Sequence, residues 1–200
     1  METGVTVSLM KAGQVKTNLE AIALLGDEQA GRVHAAIAPA TRERIERASR
    51  IEWLALDDDV ELTTAVFREV GADGLRAWSL DAIVRSTKTG LLGPLLQGVI
   101  NVFGVHPRSI LRAAPRVWAS LYKGCGSLRV VDVDAATTEL VLEGAPAAMV
   151  TPPYSLGIAA SAEAAIVLTR FDGTVGVEDA RPRAGSARFV ARWRERRAAP

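Results

Sequence analysis

The pattern of apolar residues changes its period at Gly124, and this change constrains the fold more than any other feature of the chain. Before Gly124, apolar residues recur mainly at the three- and four-residue spacing of helices that bury one face. After it, the sequence is valine-rich or alternating, as in strands whose side chains point to opposite faces. The order predicts an α+β fold, in which a helical N-terminal two-thirds packs on a small antiparallel sheet.

The sheet is predicted to consist of two C-terminal hairpins with one helix between them. The strands are expected at residues 127–134, 138–143, 174–178 and 188–194, and the helix at 154–170. In the last strand Phe189, Ala191 and Trp193 alternate with arginines, so these three side chains should face the core. The arginines are expected on the solvated face of an edge strand, where charge discourages pairing with another chain.

Several residues mark helix ends in the first two-thirds. We expect Asp27 to cap the start of one short helix and Pro39 to end it. Thr41 is expected to cap the start of the next. Residues 57–59 are three aspartates, which favour a helix N-terminus because carboxylates meet free backbone N–H groups there. Gly71 is expected to end that helix. Pro115 should split the helix that begins at Pro107, and Leu91–Phe103, apolar on nearly all sides, should form the central helix.

Size and composition predict one domain over residues 1–200, with a helical part at 12–123 and a sheet-containing part at 124–195. The formal charge of +1 gives no field that attracts nucleic acid. The single cysteine, Cys125, excludes a disulfide framework. No apolar run reaches the length of a membrane span or of a signal peptide core, so a cytoplasmic location is expected.

No reaction-specific motif is present, and the sequence predicts no catalytic residue, metal or cofactor. The two histidines, His34 and His106, lack the spacing of a zinc site, and the chain has no C-x-x-C pair. His106 precedes Pro107, and we interpret it as a turn residue; the alternative is an axial ligand to haem. Cys125 lies between two glycines beside Lys123, which fits a small turn residue or, alternatively, a reactive thiol.

These landmarks resemble a large paralogous family of myxobacterial proteins of about this length whose function is unknown. The resemblance extends from about Val15 to Trp193. It rests on the order and spacing of short motifs at residues 24–27 (LLGD), 53–56 (WLAL), 68–71 (REVG), 91–98 (LLGPLLQG), 111–118 (LRAAPRVW) and 187–193 (ARFVARW).

The layout is more distantly similar to the haem nitric-oxide/oxygen-binding (H-NOX) domains, to vinyl-reductase-type sensor domains and to TRAPP vesicle-tethering subunits. This resemblance implies a sheet and helices that enclose an apolar ligand cavity. H-NOX domains bind haem through a histidine and hold its propionates with a Tyr-x-Ser-x-Arg motif. His106 falls in roughly the corresponding region, but the nearest stretch, Tyr122 to Gly126, lacks both the serine and the arginine.

We therefore predict a non-catalytic sensor or binding module for a small apolar ligand. Phe103, His106, Trp118 and Tyr122 are the predicted cavity lining, because a Pro-split helix beside glycines packs less tightly and leaves space. The simpler interpretation is that all four fill the core. The alternatives are a protein–protein interaction or homodimerisation module and, more remotely, an enzyme that uses Cys125.

Overall fold

The computed structural model describes residues 7–89, 93 and 106–196, so Phe103 and the predicted central helix lie outside the described residues. The helices are α1 (Ala12–Ala21), α2 (Asp27–Ala36), α3 (Pro39–Arg47), α4 (Leu56–Thr89), α5 (Pro107–Arg112), α6 (Ala114–Leu121) and α7 (Pro152–Val167). The strands are β1 (Leu9–Lys11), β2 (Trp53–Ala55), β3 (Tyr122–Lys123), β4 (Ser127–Asp134), β5 (Thr137–Glu143), β6 (Phe171–Arg181) and β7 (Ser186–Glu195). Short 3-10 turns cover Ile22–Leu25, Ala147–Val150 and Pro182–Ala184.

The predicted interruptions of the helical part are present. Gly71 has φ 69°, a conformation that costs glycine little, and it divides α4 into two helical segments. Pro115 lies in the first turn of α6, where its missing N–H leaves no bond unmade, and the chain bends between α5 and α6 at Ala113. Asp57, Asp58 and Asp59 occupy the first turn of α4, as predicted.

The α+β architecture is confirmed. In the part of the chain that the structure describes, β4, β5, β7 and β6 form an antiparallel sheet in that order, and each predicted hairpin is present with α7 between them. Leu140 of β5 lies opposite Phe189 of β7 and Val130 of β4. Phe189, Ala191 and Trp193 are buried, so the inward phase of the last strand is also confirmed.

Three local predictions were wrong. The arginine-rich strand β7 is a central strand, and its Arg188 and Arg192 pair across the sheet with Glu139 and Glu178. Pro39 begins α3 rather than ending α2, because proline is compatible with the first helical turn. The caps expected at Asp27 and Thr41 are not formed, since Asp27 already lies inside α2 and Thr41 inside α3.

A second small sheet was not predicted. Strand β1 pairs antiparallel with β2 and with β3, and this brings Leu9 opposite both Ala55 and Lys123. The sheet ties the start of the chain to the beginning of α4 and to the end of α6. It therefore fixes the helical part against the entry into the larger sheet.

Two apolar clusters make up the described core. One lies among the N-terminal helices and includes Met10, Val66 and Trp78. The other lies between α5, α6, α7 and the larger sheet and includes Trp118 and Phe189, while Tyr122 packs against both clusters. In the described ranges, no helix has the length and apolar character needed to cross a bilayer.

Candidate ligand-binding cavity

A cavity of about 210 Å³ lies between the two apolar clusters. Its walls come from α1, α4, α5, α6, α7 and the larger sheet, and most of the lining is apolar, including Met10, Ile83, Leu111, Val117, Leu140 and Phe189. A dry apolar cavity of about 150 Å³ holds benzene. The space here therefore suits a compact organic molecule somewhat larger than benzene.

One side of the cavity carries a chain of satisfied hydrogen bonds. Ser86 Oγ donates to Gln14 Oε1 at 3.2 Å, and Gln14 Nε2 donates to Asn18 Oδ1 at 2.9 Å. Asn18 Nδ2 then donates to Asp59 Oδ1 at 2.9 Å, while the Tyr154 hydroxyl donates to Asp59 Oδ2 at 2.8 Å. Both oxygens of the buried Asp59 carboxylate are thus occupied, and the chain holds α1, α4 and α7 together.

Burial sets the protonation behaviour of this side of the cavity. It raises the pKa of the Asp59 carboxyl, and the neighbouring charge of Asp58 adds to the effect, against the hydrogen bonds from Asn18 and Tyr154. Burial also raises the pKa of both the Tyr122 and the Tyr154 hydroxyls, and the Asp59 charge reinforces it. Both tyrosines are therefore neutral phenols near neutral pH.

Three other polar groups of the lining have no hydrogen-bond partner among the described residues: Trp78 Nε1, Ser79 Oγ and Trp118 Nε1. Their residues are only 4%, 4% and 7% exposed. Trp78 and Ser79 are consecutive in α4, and the Trp118 ring stacks on Tyr122 with centroids 4.3 Å apart. Since buried polar groups are nearly always paired in folded proteins, these three are the exception in this wall.

Gly157 of α7 leaves room beside one of these groups. A Cβ atom at this position would lie 3.6 Å from Ser79 Oγ and 3.8 Å from Thr63 Cγ2, which is ordinary contact. The glycine is thus not required by a close helix approach. Its missing side chain contributes open space to the cavity that Ser79 and Thr63 also line.

Of the four residues predicted to line a cavity, Trp118 and Tyr122 do so. Phe103 lies outside the described residues. His106 is described and is not part of this lining, so a role of His106 in ligand binding stays a prediction. His106 precedes α5, and its ring lies against Phe171 and Trp193 of the larger sheet. Trp118 lies in the last turn of α6, and Tyr122 follows directly after that helix.

His106 caps α5. Its Nδ1 accepts the backbone N–H of Arg108 at 3.2 Å, and Pro107 takes the first helical position. The imidazole lies edge-on to Phe171, with ring centroids 4.7 Å apart, and near Trp193 at 6.0 Å. The turn-residue interpretation from the sequence thus describes its position, with capping as the added function.

We expect His106 to make the protein less stable in mild acid. Burial lowers the pKa of His106 below its ordinary value of 6.5, and the charges of Arg108 and Arg170 contribute against an opposing effect of Glu195. The unfolded chain therefore binds the proton first, and the free energy of unfolding falls as the pH drops below about 6.5. His106→Asn keeps a capping oxygen but does not titrate, so the free energy of unfolding of the variant should depend less on pH. Urea unfolding between about pH 7.5 and 5.5, a range around the ordinary histidine pKa, measures this. An unchanged slope in the variant would contradict the assignment.

Cys125 is buried against the small sheet, with Sγ 3.2 Å from the carbonyl oxygen of Lys123 and 3.7 Å from that of Leu9. Burial raises the pKa of its thiol. A nucleophilic cysteine needs the thiolate, so both observations favour the turn-residue interpretation over a reactive thiol.

The architecture is similar to that of several solved H-NOX structures. The unliganded Fe(II) H-NOX protein from K. algicida superposes with a TM-score of 0.63 over 96% of this chain and 100% of its own, at 10% identity. An oxygen-binding H-NOX domain related to soluble guanylate cyclases superposes with a TM-score of 0.63 over 94% of this chain and 96% of its own, at 14% identity. A mutant of the T. tengcongensis H-NOX protein superposes with a TM-score of 0.60 over 94% of this chain and 98% of its own, at 14% identity.

The chain has the H-NOX fold. The similarity to H-NOX domains expected from the sequence is confirmed at the level of fold, and identities of 10–14% carry no more than that. No family model matches the chain. No curated protein matches it either.

The described residues do not fit haem. His106 uses Nδ1 as a cap and lies outside the lining, and no described lining residue is a histidine, cysteine, lysine or arginine. Met10 does line the cavity, but its Sδ lies 3.8 Å from the Tyr154 hydroxyl, which points a hydrogen bond at the sulfur that would have to bind iron. Tyrosine binds iron as phenolate, and the raised pKa of Tyr122 opposes that form. Within residues 7–89, 93 and 106–196, no group of three or more His, Cys, Asp or Glu side chains is arranged for a metal ion.

Sequence reasoning missed the groups that give this cavity its polarity. Asp59 was interpreted as a helix-start residue, in preference to cation binding or acid–base chemistry by the three aspartates. Trp78 was interpreted only as available for burial, while Ser79 and Gly157 were not selected. One signal was present: Gly157 interrupts an alanine-rich helix, where glycine is about 1 kcal/mol less favourable than alanine. Helix propensity gives no reason for a glycine at that position.

Proposed function

We propose that this chain is a single-domain, non-catalytic sensor or binding module for a small, mainly apolar ligand, with a cytoplasmic location as the accompanying prediction. The observation that carries the proposal is the cavity of about 210 Å³ between the two apolar clusters, bordered by α4 and α7 and open at Gly157. A cavity left empty forfeits packing energy. Because large apolar side chains line the cavity, an apolar ligand of matching shape should bind there favourably.

A sensor also needs elements whose relative position a ligand can change. The cavity borders both clusters, and α4 is divided at Gly71, so a molecule bound there contacts elements of both halves of the described fold. A ligand that contacts one arrangement better than another shifts the population toward it. The H-NOX proteins with which the chain shares its fold include an oxygen-binding domain, and this likeness supports a ligand-binding function by analogy alone.

The test uses indane, a nine-carbon bicyclic hydrocarbon slightly larger than benzene. Indane is expected to raise the unfolding temperature of the wild type in a saturable manner, because a ligand of the folded state stabilises it by mass action. In Gly157→Ala the added methyl group occupies part of the cavity beside Ser79, and indane affinity should fall about tenfold.

Gly31→Ala is the matched control. Gly31 is also a glycine within a helix, and a Cβ atom there would meet nothing within 4 Å. Both substitutions should stabilise the unliganded protein by about 0.5–1 kcal/mol through helix propensity. Only Gly157→Ala should weaken indane binding. Equal affinity in all three proteins would show that indane binds elsewhere and would overturn the proposal for this cavity.

A further inference from the structure

The unpartnered donors in the cavity wall define the chemistry of its ligand. Trp78, Trp118 and Ser79 all belong to the lining, and their side-chain donors, the two Nε1 atoms and Oγ, are buried and have no partner among the described residues. An indole N–H donates and cannot accept. A buried donor without an acceptor is costly, and a ligand atom that accepts from it recovers that cost on binding.

The charged groups of the lining narrow the class of ligand further. The described lining contains the carboxyl group of Asp59 and no basic side chain. An anionic ligand would enter an apolar site without a counter-charge and beside a carboxylate. A cationic ligand would bring donors toward indole N–H groups, while both oxygens of Asp59 are already occupied by Asn18 and Tyr154.

We propose that the ligand is a neutral organic molecule with an apolar body and a hydrogen-bond acceptor, such as a ketone or ester carbonyl, which accepts from the indole N–H of Trp78 or Trp118. The inference rests on the proposed function and specifies its ligand class. The apolar part of the lining holds the body, and the indole N–H groups select the acceptor. Specificity of this kind is strong because a ligand that lacks the acceptor leaves the buried donors unpaired.

Three probes of one skeleton test the inference: indane, 2-indanone and indane-2-carboxylate. Dissociation constants from calorimetry should show 2-indanone binding about tenfold more tightly than indane. Indane-2-carboxylate should bind more weakly than either. Equal affinities of indane and 2-indanone, or the tightest binding by the carboxylate, would overturn the inference while the proposed cavity function stands. Absence of binding by all three probes would instead overturn the proposed function and this inference with it.

Variants locate the acceptor contact. The ratio of the indane to the 2-indanone dissociation constant should fall toward one in Trp78→Phe or in Trp118→Phe, since phenylalanine lacks the N–H. Because desolvation of the ketone is common to all proteins, the comparison isolates the hydrogen bond. Trp53→Phe is the matched control: Trp53 lies under Lys11 and Lys123 outside the lining, and the ratio should remain that of the wild type. A ratio unchanged in both cavity variants would contradict the assignment.

A measurement on the wild type alone covers the case in which a tryptophan variant does not fold. In ¹H–¹⁵N spectra the indole N–H resonance of Trp78 or Trp118 should move downfield with 2-indanone and less with indane, as expected for a new hydrogen bond. Ser79→Ala, a small change, assigns the hydroxyl contribution. Indole shifts that are the same with both probes would overturn the inference.

Discussion

Phe189→Ala is expected to lower the free energy of unfolding by about 4 kcal/mol, the range found for large aromatic side chains removed from a core. Phe189 is fully buried in the central strand β7, opposite Leu140, and it lines the cavity. Its removal takes away apolar burial and joins new empty space to an existing void, so neighbouring side chains cannot easily collapse into it. Urea unfolding at neutral pH measures the change.

Phe67→Ala is the control for this substitution. Phe67 is only half-buried on α4, where it packs against the N-terminal cluster. The same chemical change should cost clearly less there. Phe189→Ala should also enlarge the site, so that biphenyl, too large for the wild-type cavity, stabilises the variant. A loss no greater than that of Phe67→Ala would contradict the placement of Phe189 in the core.

Glu163→Ala is expected to cost about 3 kcal/mol, because it leaves buried groups without partners. Glu163 of α7 is nearly buried, and its Oε2 accepts from the Val175 backbone N–H of β6 at 2.9 Å and from Arg76 Nη2 of α4. The carboxylate therefore joins α4, α7 and the larger sheet. Without it, the N–H of the buried residue Val175 in the edge strand β6 has no acceptor, and Arg76 loses its counter-charge.

The exposed helical pair Glu43–Arg47 provides the comparison. Glu43→Ala should change the free energy of unfolding by no more than about 0.5 kcal/mol, as for most surface ion pairs. The double variant Arg76→Met/Glu163→Ala should recover part of the loss, since no unpaired charge remains. A Glu163→Ala protein as stable as the wild type would show that this three-element junction does not form in solution.

Local sequence signals were sufficient for most of the fold. Alternation alone gave the inward phase of Phe189 and Trp193, because the two faces of a strand differ in burial. Gly71 and Pro115 act through their own backbone constraints, so their effect on the helices was also predictable. Each of these inferences depends on residues within a few positions of one another.

Features that depend on distant partners were not predictable. Strand β1 has three residues and pairs with Ala55 and Lys123, far along the chain, so no periodicity marks it. The central position of β7 follows from long-range pairing with both β5 and β6. Asp59 has a local explanation as a helix-start residue, and only the fold brings Tyr154 to its carboxylate.

The same limit applied to the cavity. The Pro-split helix was a local signal for the region at the end of α6, where Trp118 and Tyr122 line the cavity, and their binding of a ligand stays a prediction. Whether Trp78 and Ser79 have hydrogen-bond partners, by contrast, depends on which distant residues the fold brings near them. A single sequence contains no signal for a missing hydrogen-bond partner.

The most direct test of the central claim, a ligand cavity between the helical part and the larger sheet, is an NMR titration of the wild type with indane. We expect saturable one-site shifts of the Trp78 and Trp118 indole N–H resonances and of the Met10 methyl group, because all three residues line the cavity. The Trp53 indole, outside the lining, should not move. Absence of saturable shifts, shifts confined to residues outside the cavity, or protein that purifies with bound haem and a Soret band would contradict it.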